Sequence, residues 1–170
     1  CNWKVATEAF IEGYHAAITH PQTKDFGNSK TGSSAEGLHG RLFQMGAAGG
    51  GIGTGVGEKD QVDVREIPYL GLSQAKETVW SNTSDTFIEA ARRLPELLPE
   101  GVSNIEVSMK LMEVARQLDA EKGVEWPRVD PMHMAQVGIN WHVFPNTVLL
   151  PNVTFCLGFR MRPDGFNPDS

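Results

Sequence analysis

Hydrophobic residues near the start of the chain repeat at helical intervals. They recur at steps of three and four residues: Trp3, Ala6, Phe10, Tyr14 and Ile18. This spacing is typical of the buried stripe of an amphipathic helix. Pro21 ends the pattern, because the residue before a proline is pushed away from helical backbone angles. The sequence therefore predicts one continuous helix that runs up to Pro21.

Two further helices are indicated by their end signals. One is predicted from Ser84, as the capping residue, to Leu94, and Pro95 disturbs its end. The other begins at the capping-box pattern of residues 103–106 and stops near Gly123. Its spacing predicts four inward-facing side chains: Ile105, Met109, Met112 and Leu118.

The last third of the chain changes from a helical period to alternation. Residues 136–143 and 153–162 alternate apolar and polar positions, which is typical of half-buried strands, and residues 148–150 form a short apolar strand between two turns. Residues 38–44 predict another short strand, whereas residues 22–37 are polar and predict a loop. Antiparallel strands with segregated helices indicate an α+β domain.

A glycine-rich run spans residues 46–57. A phosphate-binding loop would need a G-x-G-x-x-G register or a following Gly-Lys-Ser/Thr, and the run has neither. We interpret it as a flexible loop that flanks a pocket.

Composition narrows the function classes. The 170 residues suit one domain, and a net charge of −6 argues against a nucleic-acid partner. No apolar stretch approaches the roughly 20 residues of a membrane helix. Two distant cysteines exclude a disulfide scaffold, and no signal peptide is visible, so we expect a cytoplasmic protein. Because the chain begins at Cys1 and ends just after a strand, we expect a piece of a longer protein.

Candidate chemistry lies at the end of the first predicted helix. His15 and His20 are five residues apart, and Pro21 releases His20 from helical geometry so that its ring can turn back toward His15. Glu12 and Glu8 lie near the same helix face as His15. Two imidazoles and a carboxylate are the donor types of non-haem Fe(II) oxygenases, although zinc takes similar ligands. A pair of ordinary helix-end histidines explains the spacing equally well.

Two blocks of sequence resemble the catalytic domain of Rieske-type ring-hydroxylating oxygenase α subunits. The first block is Asn2-Trp3-Lys4, Glu8, Phe10, Glu12, Tyr14-His15 and His20-Pro21. The second is Trp141-His142-Val143-Phe144-Pro145-Asn146-Thr147, Leu150-Pro151-Asn152 and Arg160-Met161-Arg162-Pro163-Asp164-Gly165. Their order and separation also fit, so the resemblance spans nearly the whole chain.

The resemblance implies a role for each matching residue. His15 and His20 would be the two histidine ligands of a mononuclear Fe(II), and Glu12 would be the bridging carboxylate toward the Rieske cluster of a neighbouring subunit. The third iron ligand is expected beyond Ser170, and the Rieske domain with its 2Fe–2S cluster is expected before residue 1. We therefore expect residues 1–170 to be one partial catalytic domain that is inactive when isolated.

The resemblance also implies a fold and partners. The fold would be of the helix-grip type, a curved antiparallel sheet around a long helix, cut before that helix. Electrons would come from NAD(P)H through a reductase and a ferredoxin, and the substrates would be dioxygen and a small cyclic apolar compound. The parent would be a homotrimer or an assembly of three α and three β subunits.

Pocket residues are predicted from the need of such a substrate for an apolar cavity. His142 lies on the polar alternate face of its strand, and Phe144, Met45 and Val137 are candidate walls, although ordinary packing explains each of them too. Two other function classes stay open: a binding module for an apolar ligand without redox chemistry, and a zinc-dependent hydrolase with Glu12 or Glu8 as its base.

Overall fold

The computed structural model describes residues 2–13, 15–19, 30–45, 63–78, 83–130, 133, 137–165 and 167. Within these ranges the helices are α1 Trp3–Glu8, α2 Ala16–Thr19, α3 Ile67–Thr78, α4 Asp85–Leu97 and α5 Asn104–Glu121. The strands are β1 Lys30–Glu36, β2 His39–Met45, β3 Asn140–Val143, β4 Thr147–Pro151 and β5 Cys156–Arg160. The predicted glycine-rich loop at 46–57 lies outside the described residues.

The five strands form one antiparallel sheet in the order β1-β2-β3-β4-β5. The three longer helices lie in the chain between β2 and β3, so helices and strands are segregated, and the predicted α+β class is confirmed. None of the helices in the described ranges combines the length and apolar character that crossing a bilayer requires.

Strand β1 corrects the predicted loop at 22–37, because residues 30–36 are extended. Every residue of β1 pairs with β2, from Lys30 opposite Met45 to Glu36 opposite His39. The hairpin turn contains Gly37 at φ 64°, a conformation that glycine adopts without steric cost. Backbone pairing with a neighbour therefore forms a strand that its own polar side chains do not predict.

The end signals of α4 and α5 are confirmed. The Ser84 hydroxyl accepts a hydrogen bond from the Phe87 N–H at 3.2 Å. Both halves of the Ser103–Glu106 capping box are present, and they hold the pKa of the Glu106 carboxyl below its usual value. Helix α4 contains Pro95 and continues to Leu97, three residues past the predicted end.

The buried face of α5 differs from the predicted one. Ile105 and Met109 are 56% and 68% exposed, whereas Leu118 is buried and Met112 packs against the core. The residues that face the core are Val107, Val114, Ala115 and Leu118. This helix carries apolar residues on more than one side, and contacts with Ala91 and Leu94 of α4 select the stripe that starts at Val107.

Helix α3 was not predicted, because Pro68 and Gly71 interrupt a weak apolar pattern. Pro68 lies in the first turn, where a missing N–H removes no helical bond. Tyr69 and Leu72 pack against the helical core. Just before α3, Arg65 donates to the carbonyl of Leu98 at 2.9 Å and so ties the start of α3 to the end of α4.

The two faces of the sheet differ in burial. One face carries Leu42, Asn140 and Val148, all of them buried. On the other face, the Arg41 guanidinium lies over the ring of Trp141, 5.8 Å from its centroid. The polar alternate positions of β3 therefore face the interior.

The continuous helix predicted up to Pro21 is wrong. Helix α1 ends at Glu8 and α2 begins at Ala16, with turns between them. The shared helix face expected for Glu8 and His15 does not exist, because the two residues are on opposite sides of this break. His20 and Pro21 lie outside the described residues.

Candidate metal centre

A contact with the sheet lies in the break between α1 and α2. The carbonyl oxygen of Phe10 accepts a hydrogen bond from the Asn140 side-chain amide, Asn140 Nδ2, at 2.8 Å. In a continuous helix this carbonyl would accept from the backbone N–H four residues later. The preceding turn is tightened instead, since the Phe10 N–H donates to Thr7 O at 3.2 Å and the Ile11 N–H to Glu8 O at 3.0 Å.

Apolar contacts seat the same segment on the sheet. The rings of Phe10 and Phe159 lie 5.0 Å apart at an angle of 31°. A Cβ added to Gly40 would lie 3.7 Å from Ile11 Cδ1 and 3.6 Å from His142 Cβ, so Ile11 packs where β2 meets β3. Residues 10 and 11 therefore contact β2, β3 and β5.

Glu12 and His15, which follow this contact directly in the chain, hydrogen-bond to each other. The Glu12 carboxylate accepts a hydrogen bond from the His15 backbone N–H at 3.2 Å, and its other oxygen hydrogen-bonds His15 Nδ1. The His15 carbonyl accepts from the Thr19 N–H at 2.9 Å, which makes His15 the capping residue of α2. The imidazole is thus held from both its backbone and its ring.

This pairing suits an imidazole that binds a metal ion. A carboxylate that accepts the proton of Nδ1 fixes the tautomer in which Nε2 carries the lone pair. Both side chains are partly buried, so the pair is shielded yet reachable. In the described residues no group of three or more His, Cys, Asp or Glu side chains could hold a metal ion. The predicted second ligand, His20, lies outside those residues, so the structure places one imidazole and its supporting carboxylate.

His142 is the other predicted site residue with a distinctive environment. It lies in β3 between Gly40 of β2 and Val148 of β4. Its Nε2 atom is buried and has no hydrogen-bond partner in the part of the chain that the structure describes. Leaving such an atom unsatisfied costs about 1–3 kcal/mol, so a partner from a bound molecule would be favourable.

The remaining predicted pocket residues are more dispersed. Phe144 lies in the β3–β4 turn and is 53% exposed, and its N–H donates to His39 Nδ1 at 3.2 Å. Val137 is half-buried, and its carbonyl accepts from the Trp141 indole at 2.6 Å. Met45 ends β2 opposite Lys30, and its side chain is outside the described part of the structure.

Sequence reasoning missed the contacts that place the pair. Nothing in the sequence distinguishes Asn140 from Asn146, which donates to the Met161 carbonyl at 2.8 Å in the β3–β4 turn region. The one available signal was the polar alternate position of Asn140 within a predicted strand, on the face that the structure shows to be buried.

The comparison with protein families identifies the class of protein. The model of the family described as ring hydroxylating alpha subunit (catalytic domain) matches residues 1–168. The chain belongs to this family, and the resemblance derived from the two sequence blocks is confirmed. Its α+β architecture, with an antiparallel sheet of five strands, is consistent with the helix-grip fold. No curated protein and no solved structure gave a significant match.

Proposed function

We propose that this chain is the part of an oxygenase α subunit that binds mononuclear Fe(II) through His15 and His20 and hydroxylates an aromatic or other cyclic apolar substrate. The observation that carries the proposal is the Glu12–His15 pair, in a chain whose family is that of ring-hydroxylating α subunits. When bound, Fe(II) supplies a centre at which dioxygen is reduced, with electrons from NAD(P)H through a reductase, a ferredoxin and a Rieske 2Fe–2S cluster.

The role of Glu12 follows from its two hydrogen bonds to His15. It accepts the ring proton and the backbone proton of the same residue, so it fixes both the tautomer and the direction of the imidazole. A carboxylate committed in this way is poorly placed as the general base of a zinc hydrolase. We propose that Glu12 also lies on the electron route into the site, in a trimeric assembly of α subunits.

The role proposed for His142 is to bind the substrate. A buried ring nitrogen that has no partner among the described residues offers one hydrogen bond to a molecule that enters from the same face of the sheet. Val137, Phe144 and Met45 would add apolar surface, which a cyclic substrate needs. A cytoplasmic location fits the supply of NAD(P)H.

The test measures whether the oxygen atoms in the product come from dioxygen. The full-length protein is supplied with reductase, ferredoxin, NAD(P)H and ¹⁸O₂, and hydroxylated products are analysed by mass spectrometry for a panel of aromatic substrates. We expect ¹⁸O in the product of wild type and of the exposed control His133→Ala, and no product from His15→Ala. Equal product from His15→Ala, or product oxygen derived from water, would refute the proposal. The second outcome would favour a hydrolase.

The variant Glu12→Gln distinguishes the two proposed roles of Glu12, which are to orient the His15 ring and to lie on the electron route. Glutamine keeps an acceptor oxygen for the His15 ring but removes the negative charge. We expect iron to remain bound while turnover falls about 10–100-fold. Glu8→Gln is the matched control, because Glu8 is exposed at the end of α1, before the break. Equal losses in the two variants would contradict a specific role for Glu12.

A further inference from the structure

The side chain of Asn140 makes a polar contact that the proposed chemistry does not use. It is only 4% exposed, and its Nδ2 atom donates to the Phe10 carbonyl at 2.8 Å. The direction of this bond is unambiguous, because a carbonyl oxygen only accepts. A buried amide of this kind binds its acceptor strongly, since losing the partner leaves a desolvated polar group.

The acceptor belongs to Phe10, two residues past the end of α1 and inside the break between α1 and α2. Asn140 therefore ties the segment that follows one helix to a strand 130 residues later. Glu12 lies two residues after Phe10, and the Glu12–His15 pair closes within one turn of it. Whatever fixes the Phe10 carbonyl also fixes the starting point of that pair.

The other contacts of the segment lack this directionality. The Phe10–Phe159 ring pair and the packing of Ile11 near Gly40 and His142 are apolar. Apolar contacts stabilise burial but tolerate small shifts along the surface. A hydrogen bond loses its strength steeply when its geometry changes. The Asn140 bond thus sets the register of the segment on the sheet.

We infer that Asn140 is a positioning residue for the candidate metal centre: by holding the Phe10 carbonyl it fixes the segment after α1 on the sheet and so determines how the Glu12–His15 pair is presented. This inference rests on the proposed function, because it takes His15 as a metal ligand. Asn140 itself touches neither member of the pair in any hydrogen bond of the structure's described part.

A nearly isosteric pair of variants tests this role in the full-length protein. Asn140→Asp keeps the shape but removes the N–H donor. Asn146→Asp is the matched control, because Asn146 Nδ2 also donates to a backbone carbonyl, that of Met161, at the same 2.8 Å distance. Asn140→Ser is a milder second variant, with no added charge, should the aspartate prevent folding.

Two measurements are compared. The first is amide hydrogen exchange of residues 9–13 and 15–19. The second is a titration of the metal-depleted mononuclear site with Co(II), followed by the ligand-field absorption of the bound ion. For Asn140→Asp or Asn140→Ser we expect about tenfold faster exchange in this segment. We also expect about tenfold weaker Co(II) binding with altered absorption bands. For Asn146→Asp we expect both readouts to stay at wild-type values, even where the melting temperature falls.

The outcomes separate this inference from the proposed function. Unchanged exchange and Co(II) binding in both Asn140 variants would overturn the positioning role, as would equal changes in Asn146→Asp. His15→Ala is run in parallel. If it abolishes Co(II) binding while the Asn140 variants have no effect, only the inference fails. If it leaves Co(II) binding intact, the proposed metal centre fails and the positioning role fails with it.

Discussion

Helices α4 and α5 and the segment between α1 and α2 obtain their structures in different ways. Each of the two helices begins at a serine whose hydroxyl accepts a hydrogen bond from the backbone N–H three residues later, so the start of each helix is determined locally. The segment between α1 and α2 has an equally clear helical pattern, yet residues 9–13 are not helical, and an amide from β3 binds the Phe10 carbonyl among them. The candidate chemistry lies where a long-range contact overrides the local preference.

The difference has an energetic basis. Continuing α1 through residue 13 would place Gly13 inside a helix, which costs about 1 kcal/mol relative to alanine. It would also leave the buried Asn140 amide without its acceptor, a further cost of about 1–3 kcal/mol. The break itself costs little, because hydrogen bonds in the turns and to the sheet replace the few helical hydrogen bonds that are lost. The Glu12–His15 pair, which follows this break, is therefore positioned by tertiary structure rather than by helix geometry.

The largest effect on stability is expected for Leu94→Ala, in the helical region. Leu94 is fully buried between α4 and α5, so the variant leaves a cavity and loses about 3 kcal/mol of unfolding free energy. Urea unfolding measures this loss. Because residues 9–13 are not among the described residues that pack against this cluster, their hydrogen exchange under native conditions should equal that of wild type. Faster exchange at residues 9–13 would show that the segment between α1 and α2 depends on the packing of α4 against α5, contrary to this prediction.

An intermediate effect is expected for Gly138→Ala, next to the sheet contact. Gly138 has φ 82°, and an added Cβ would lie 2.6 Å from the Leu42 carbonyl oxygen. The left-handed conformation costs about 1–2 kcal/mol for alanine, and the clash with backbone adds to it. We expect a loss of more than about 2 kcal/mol, with faster exchange at residues 9–13 because β3 must shift relative to β2.

Gly101→Ala is the control for that prediction. Gly101 has φ 79°, nearly the same angle, but an added Cβ would meet nothing within 4 Å. We expect a loss of about 1 kcal/mol and no change at residues 9–13. Equal losses in the two glycine variants would show that the contact with β2 contributes nothing.

The smallest effect is expected at the α5 cap and depends on pH. Ser103→Ala should cost about 1 kcal/mol at neutral pH. Hydrogen bonds from the Ser103 backbone and hydroxyl lower the pKa of Glu106 from its ordinary 4.5. Stability from a lowered carboxyl pKa is present above the unfolded value and is lost as pH falls through the folded value. The stability difference between wild type and Ser103→Ala should therefore shrink below pH 4.5.

The variant Ser84→Ala is the control that removes a capping hydroxyl without an ionisable capping-box partner. Ser84 caps α4, but the residue three positions later is Phe87, which does not ionise. We expect a similar loss at neutral pH that stays constant when the pH is lowered. Chemical denaturation at several pH values measures both variants, and a pH-dependent difference for Ser84→Ala would contradict this assignment.

The parts of the fold that were predictable are those with signals inside the element. Ser84 and Ser103 marked the starts of α4 and α5, alternation marked β3 and β5, and a short apolar run between two turns marked β4. Strand β1 was not predictable, because its small and polar residues become extended through pairing with β2. The break after Glu8 was not predictable either, since the residues that contact this segment, Asn140 and Phe159, lie far along the chain.

The candidate site divides in the same way. Residue types and spacing were enough to select Glu12 and His15, and the structure places them in direct hydrogen-bond contact. Their presentation on the sheet depends on Phe10, Asn140 and Phe159, which meet only in the folded chain. His142 was selected from alternation, but the burial of its Nε2 atom, which has no partner in the described part of the chain, is a property of the packed sheet.

The most direct test of the central claim is an iron count on the full-length protein, combined with electron paramagnetic resonance spectra, for wild type, His15→Ala and His20→Ala. The account predicts a Rieske signal plus one further iron in wild type, and loss of only the further iron in each variant. An unchanged iron count in both variants would contradict it, and would show that the two histidines have structural roles.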